Sequence, residues 1–95
     1  MSKLTKKDFK EGTKFITKFS TTEIFTFGIT ENGDKFIQND ILFSCKKLAI
    51  KGNFYSVESI TDKYLKMFDF QFGQKQIFKV KLSDIEIVNI EYKTL

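Results

Sequence analysis

The side chains of this chain that could take part in a reaction are conspicuous for what is missing around them. There is no histidine, so neither Cys45 nor any serine has the usual base to take its proton, and the commonest metal ligand is absent too. The 12 carboxylates are scattered, many at turns or at outward strand positions. Glu31 and Asp34 flank a turn, where solvation and local hydrogen bonding account for them. Cys45 has no second cysteine or histidine with which to hold a metal, and it reads as a small buried core residue. The glycines stand singly, which does not make a phosphate-cradling loop. The expectation is a protein that is not an enzyme and carries no cofactor or metal.

The chemistry that remains is that of binding, and it is concentrated between Asp62 and Leu82, DKYLKMFDFQFGQKQIFKVKL. Gly73-Gln74 reads as the two-residue loop of a type II′ hairpin, which sets Phe72 opposite Lys75, Phe70 opposite Ile77 and Met67 opposite Val80. Strand alternation then sorts the hairpin into two faces. One holds Leu65, Met67, Phe78, Val80 and Leu82, an apolar set suited to a core. The other holds Tyr64, Phe68, Phe70, Phe72 and Ile77, interleaved with Lys66, Lys79 and Lys81.

Three uses of that second face compete. It is a second core layer, an interface for a protein partner or another copy of the chain, or a platform on which bases stack while lysines neutralise phosphates. Twelve phenylalanines and three tyrosines are too many for one small core, so some of these rings must reach the surface. All 16 basic residues are lysine, which leaves no arginine fork for bidentate grip on phosphate or guanine. A net charge of +4 is modest for a nucleic-acid binder. The leading expectation is a non-catalytic binding module that self-associates or binds a protein through this face. Single-stranded nucleic-acid or nucleotide binding is the alternative.

The remaining chain must position this hairpin. Thr5 and Asp8 form a capping box, with Leu4 and Phe9 as a staple, so a short helix is expected before Gly12. Thr13 to Phe19 alternates, placing Phe15 with Phe19, and Thr22 to Thr30 places Phe25, Phe27 and Ile29 together. Asn32-Gly33 predicts a type I′ hairpin that pairs Ile29 with Phe36 and puts Phe36 on the face of Phe25 and Phe27. Between Asp40 and Lys51, Ile41, Phe43 and Cys45 share a strand face, with a bulge or break near Cys45-Lys46-Lys47 before Leu48 and Ile50. Lys51-Gly52-Asn53 turns the chain into a further strand to Ile60. After Ser83-Asp84 a last strand runs from Ile85 to Tyr92.

About seven short strands with regular turn signals predict an all-β protein. The expected form is a small, strongly bent antiparallel barrel, SH3-like or OB-like in architecture, with a short N-terminal capping helix. Its 95 residues make a single domain, 1–95. No apolar run approaches the roughly 18 residues of a membrane-spanning helix, so no membrane is expected as partner. A lone cysteine and no secretory signal point to the cytoplasm. A composition rich in Lys, Ile and Phe fits an AT-rich genome, and a small basic β-domain of that origin suits a phage accessory protein acting in the host cytoplasm.

Overall fold

The computed structural model describes residues 4–43 and 45–95. A single 3-10 turn, Lys6–Asp8, is all that the N-terminal helix signal produces. Its capping box forms: the Thr5 amide donates to Asp8 Oδ2 at 2.8 Å and the Thr5 hydroxyl accepts from the Lys7 amide at 3.3 Å. Phe9, straight after the turn, is buried in the core, with Leu4 packed partly against the same cluster.

Among the described residues eight strands follow: β1 Lys14–Thr17, β2 Ser20–Ile29, β3 Lys35–Leu42, β4 Leu48–Ile60, β5 Tyr64–Gln71, β6 Gln74–Lys81, β7 Ile85–Val88 and β8 Lys93–Thr94. The first seven form one antiparallel sheet in the order β6-β5-β4-β3-β2-β1-β7, bent into a half-barrel. The all-β, strongly bent antiparallel architecture expected from the turn spacing is thus the fold. The concave side carries the main core, with Phe9, Phe15, Phe25, Phe27, Ile37, Leu65, Met67, Leu82 and Ile85 buried together. Phe15 and Phe25 stack at 5.3 Å between centroids, and Phe9 meets Phe15 edge-on at 5.6 Å.

Several local expectations are corrected. At Glu31-Asn32-Gly33 only glycine has a positive φ, and the Gly33 amide donates to Thr30 O at 2.9 Å. The loop is therefore a type I turn followed by a left-handed Gly33, one residue longer than a type I′ loop. Ile29 then pairs with Lys35, and Phe36 with Gly28. A register change of one residue moves side chains to the opposite face. Phe36 leaves the face of Phe25 and Phe27, and Ile37, opposite Phe27, takes the core position. Phe19, expected beside Phe15, lies outside β1 in the turn to β2 and is exposed.

Of the bulge or break expected near Cys45-Lys46-Lys47, the structure has the break: β3 ends at Leu42, β4 begins at Leu48, and the two pair as a hairpin, so Ile41, Phe43 and Cys45 do not share one strand. Ile41 pairs with Ile50 and Leu42 with Ala49, around a turn in which Lys46 has a φ of 56°. Cys45 sits in that turn and is exposed, not buried. Gly52, expected to turn the chain, instead lies inside β4, which runs on for 13 residues. The register shifts between Gln38 and Asp40, leaving one extra residue on β4 opposite Asn39. At this bulge a Cβ on Gly52 would lie 2.5 Å from the backbone oxygen of Asn39, so only glycine fits. Finally, the last strand stops at Val88, and 89–92 cross the convex side of the sheet before β8 pairs in parallel with the start of β4.

These contacts set two expectations for chemical denaturation. Phe27→Ala removes a fully enclosed ring and should cost about 3–5 kcal/mol. Gly52→Ala, which removes nothing, should still cost about 1–3 kcal/mol, since backbone must move to admit the methyl group. An unchanged urea midpoint for Gly52→Ala would show that the bulge does not depend on this approach.

Candidate functional site

The convex face of the sheet has two halves of different character. Over one half the crossing segment packs Ile90 and Tyr92 against Ile24, Leu42 and Ala49, with Ile16 and Val88 beside them. The Tyr92 hydroxyl donates to Asp40 Oδ2 at 2.5 Å, and Gln38 Nε2 donates to Asp40 Oδ1 at 3.0 Å. Asp40 is almost wholly buried, so these two donors take the place of water around its carboxyl group. Burial and the bond to Asp40 push the Tyr92 phenol up to about 12. Lys14, Thr26, Gln38, Asp40, Ile90 and Tyr92 line an open depression beside this anchor.

The other half is bare, and it is the face that the hairpin sequence singled out. Tyr64, Lys66, Phe68 and Phe70 on β5 share it with Ile77, Lys79 and Lys81 on β6. Their partners differ from those expected. The two-residue loop is Phe72-Gly73, with φ of 53° and 77°, which makes a type I′ turn closed by Gln71 and Gln74. Phe68 therefore faces Ile77, Lys66 faces Lys79 and Tyr64 faces Lys81. This register differs from the expected one by two residues, an even number, so every side chain keeps its face. Phe72 alone leaves the strand and projects from the turn, fully exposed.

The face is not a second core layer: Phe70 is 67% exposed and Ile77 52%. Lysines cover several of its rings. Lys75 Nζ lies 4.3 Å from the Phe68 centroid, Lys79 Nζ 4.0 Å from that of Tyr64, and Lys51 Nζ 4.8 Å from that of Phe54. Such placements are worth about 0.5–1 kcal/mol each at exposed sites. Lys75 also pairs with Glu58 at 2.9 Å, a surface contact that orients the ammonium more than it stabilises the fold.

Four contributors were not anticipated as site residues. Lys75 was within reach of strand alternation, because it stands two residues before Ile77 on β6. Phe36, Phe54 and Glu58 were not, since they join the face only through the β3–β4–β5 order and the Gly52 bulge. Phe36 and Phe54 lie 5.9 Å apart by centroid. Beyond the Ser56–Phe68 pair no further β4–β5 pairing follows, and Phe36, Phe54, Phe68 and Phe70 border the resulting notch with Asp69. Asp69 Oδ1 is buried there without a hydrogen-bond partner.

Among the described residues no three Asp, Glu or Cys side chains gather as metal ligands would. No helix among them is long and apolar enough to cross a membrane. Comparison with protein-family models, curated proteins and solved structures finds no match.

The Tyr92 anchor has a measurable pH signature. A phenol whose pKa is raised in the fold contributes stability that is complete below the unfolded value near 10 and is lost as pH climbs toward about 12. Stability should therefore fall across that window, and Tyr92→Phe should flatten the slope. Equal alkaline slopes for both proteins would remove Tyr92 from the account.

Proposed function

We propose that the bare convex face of β4–β6 is a protein-binding surface, and that the chain is a non-catalytic interaction module acting in the cytoplasm, or in the host cytoplasm if it is phage-encoded. The observation that carries this reading is the hairpin tip. Phe72 buries nothing and holds a left-handed backbone, a conformation that costs a non-glycine residue about 1–2 kcal/mol. Neither burial nor turn chemistry favours phenylalanine there, where asparagine before glycine would suit the turn better. Strain kept without structural gain is a pointer to function. Phe70 and Ile77 extend the same apolar surface, and lysines rim it, as aromatic anchors with a polar rim do at protein interfaces.

The lysines also favour protein over nucleic acid. The ring faces of Phe68, Tyr64 and Phe54 are already occupied by ammonium groups, so a base would have to displace a cation before it could stack. Glu58 and Asp69 place carboxylates within or beside the patch, where a phosphate backbone would meet repulsion.

Two substitutions separate binding from folding. Phe72→Asn should raise stability by about 1 kcal/mol, by relieving the strained φ, while weakening association. Phe70→Ala should leave the melting temperature nearly unchanged and weaken association more strongly. Association is read by light scattering across a concentration series, and by retention of proteins from an extract of the source cell on immobilised wild-type and variant chains. Oligonucleotide binding that falls steeply with salt, together with no protein association, would give the face to nucleic acid instead. Loss of folding in Phe70→Ala would return it to the core.

A further inference from the structure

Resting on the reading that this face meets a protein, we infer that the free edge of β6 receives an extended acidic segment of the partner as an added strand. Among the described residues β6 ends the sheet, and its eight residues are paired on one side only. In the β5–β6 ladder, Gln71 and Gln74 close the two-residue loop as a hydrogen-bonded pair, and alternate pairs repeat the pattern down the strands. The bond from the Leu82 amide to Lys63 O, 2.9 Å, continues the same alternation. The even-numbered residues of β6 thus spend their backbone groups on β5. The N–H and C=O groups of Lys75, Ile77, Lys79 and Lys81 point away from the sheet, ready for a further strand.

Those four residues also carry the side chains of the convex face. A strand laid against them places its own side chains opposite three lysines and one isoleucine; Lys75 would turn from Glu58 and Phe68, and Lys79 from Tyr64, to meet its carboxylates. On the concave side, Phe78 is 38% exposed at the open end of the core, its ring edge-on to Tyr55 at 5.3 Å, with half-buried Val80 beside it. An added strand would cover both. For an antiparallel arrival the pattern is therefore acidic residues opposite Lys81, Lys79 and Lys75, with apolar residues opposite Val80, Phe78 and Ile77.

Charge argues against a second copy of the chain as the occupant. With Ile77 set opposite Ile77 of the second copy, Lys75 meets Lys79, and with Phe78 opposite Phe78, Lys75 meets Lys81. Like charges directly opposed destabilise a strand pair. The other sheet edge, β7, is a poor match too. Its H-bonded pairs with β1 follow the Lys18 amide to Asp84 O bond, which leaves the backbones of Ile85 and Ile87 free. Both side chains lie on the Phe15 side of the sheet, so β6–β7 pairing would run the convex face of one copy into the concave face of the next. Edge lysines discourage pairing between like strands. The same charges select an acidic one.

The probe is a synthetic seven-residue segment with glutamate at its first, third and seventh positions and valine elsewhere, with a control bearing lysine for glutamate. Amide exchange and chemical shifts of the whole chain are followed by NMR during titration. The acidic peptide should slow exchange of the Ile77 and Lys79 amides, and the lysine control should not. A variant with Lys75→Glu, Lys79→Glu and Lys81→Glu should bind the acidic peptide at least about tenfold more weakly, from the loss of three cross-strand pairs. It should gain affinity for the lysine peptide, which also shows that it still folds. Lys79→Pro removes one outward donor and none used by β5, and should abolish the exchange protection. If the acidic peptide shifts Phe68 and Phe70 without slowing Ile77 or Lys79, strand addition is overturned while the face remains a binding surface. If protein association through Phe70 is absent but the amides slow, the edge stands without the face. Equal response to both peptides, or to neither, overturns the proposal.

Discussion

The fold depends on the close approach of Gly52 to the backbone of Asn39. A strand of 13 residues cannot run straight through a sheet this strongly bent, and the extra residue at Gly52 is where β4 changes direction. On one side of that point β4 pairs with β5, and on the other β8 takes the same edge. The strand therefore belongs to two packing environments. Tyr55, Val57 and Ile60 face the main core, whereas Ala49 joins the smaller cluster beneath the C-terminal segment. Because β5 leaves β4 beyond Ser56, room opens between them for the exposed rings of Phe54 and Phe70.

The two halves of the convex face show two ways of treating a surface that strand alternation leaves partly apolar. One half is covered from within the chain. Ile90 and Tyr92 supply the apolar contact, and the bond from Tyr92 to buried Asp40 fixes where the segment crosses. A buried carboxylate needs such partners, and that requirement makes the crossing specific rather than merely greasy. Among the described residues nothing covers the other half. Of its rings, Tyr64 and Phe68 lie beneath lysine ammonium groups that a better-matched partner can displace, while Phe70 and Phe72 stay exposed.

Charge distribution sharpens the contrast between the sheet edges. β6 presents Lys75, Lys79 and Lys81 beside Phe70, Lys66 and Tyr64 of β5, while β7 is short and presents isoleucine backbones from the concave side. A net charge of +4 says little by itself, but three lysines and no carboxylate along β6 give that edge a sign.

Much of this was legible without coordinates. The absence of histidine and arginine rules out imidazole chemistry and bidentate guanidinium contacts, since no arrangement in space can supply a missing side chain. The turn signals and period-two alternation were sufficient for the all-β class, and alternation alone sorted β5 and β6 into an apolar face and an aromatic–lysine face. That sorting survived a mistaken turn because the register error there was even. At Asn32-Gly33 the error was odd, and it exchanged Phe36 for Ile37 in the core. Tertiary structure decided what local pattern could not: that Gly52 bends a strand rather than ending one, that Cys45 lies in a turn, and that Phe54 and Glu58 stand beside the hairpin. It also decided that the C-terminal segment covers one half of the convex face and leaves the other open. Alternation is a property of one strand and is written in its residues. Which strands become neighbours, and what lies over them, follows from long-range closure of the sheet, and no window of sequence contains it.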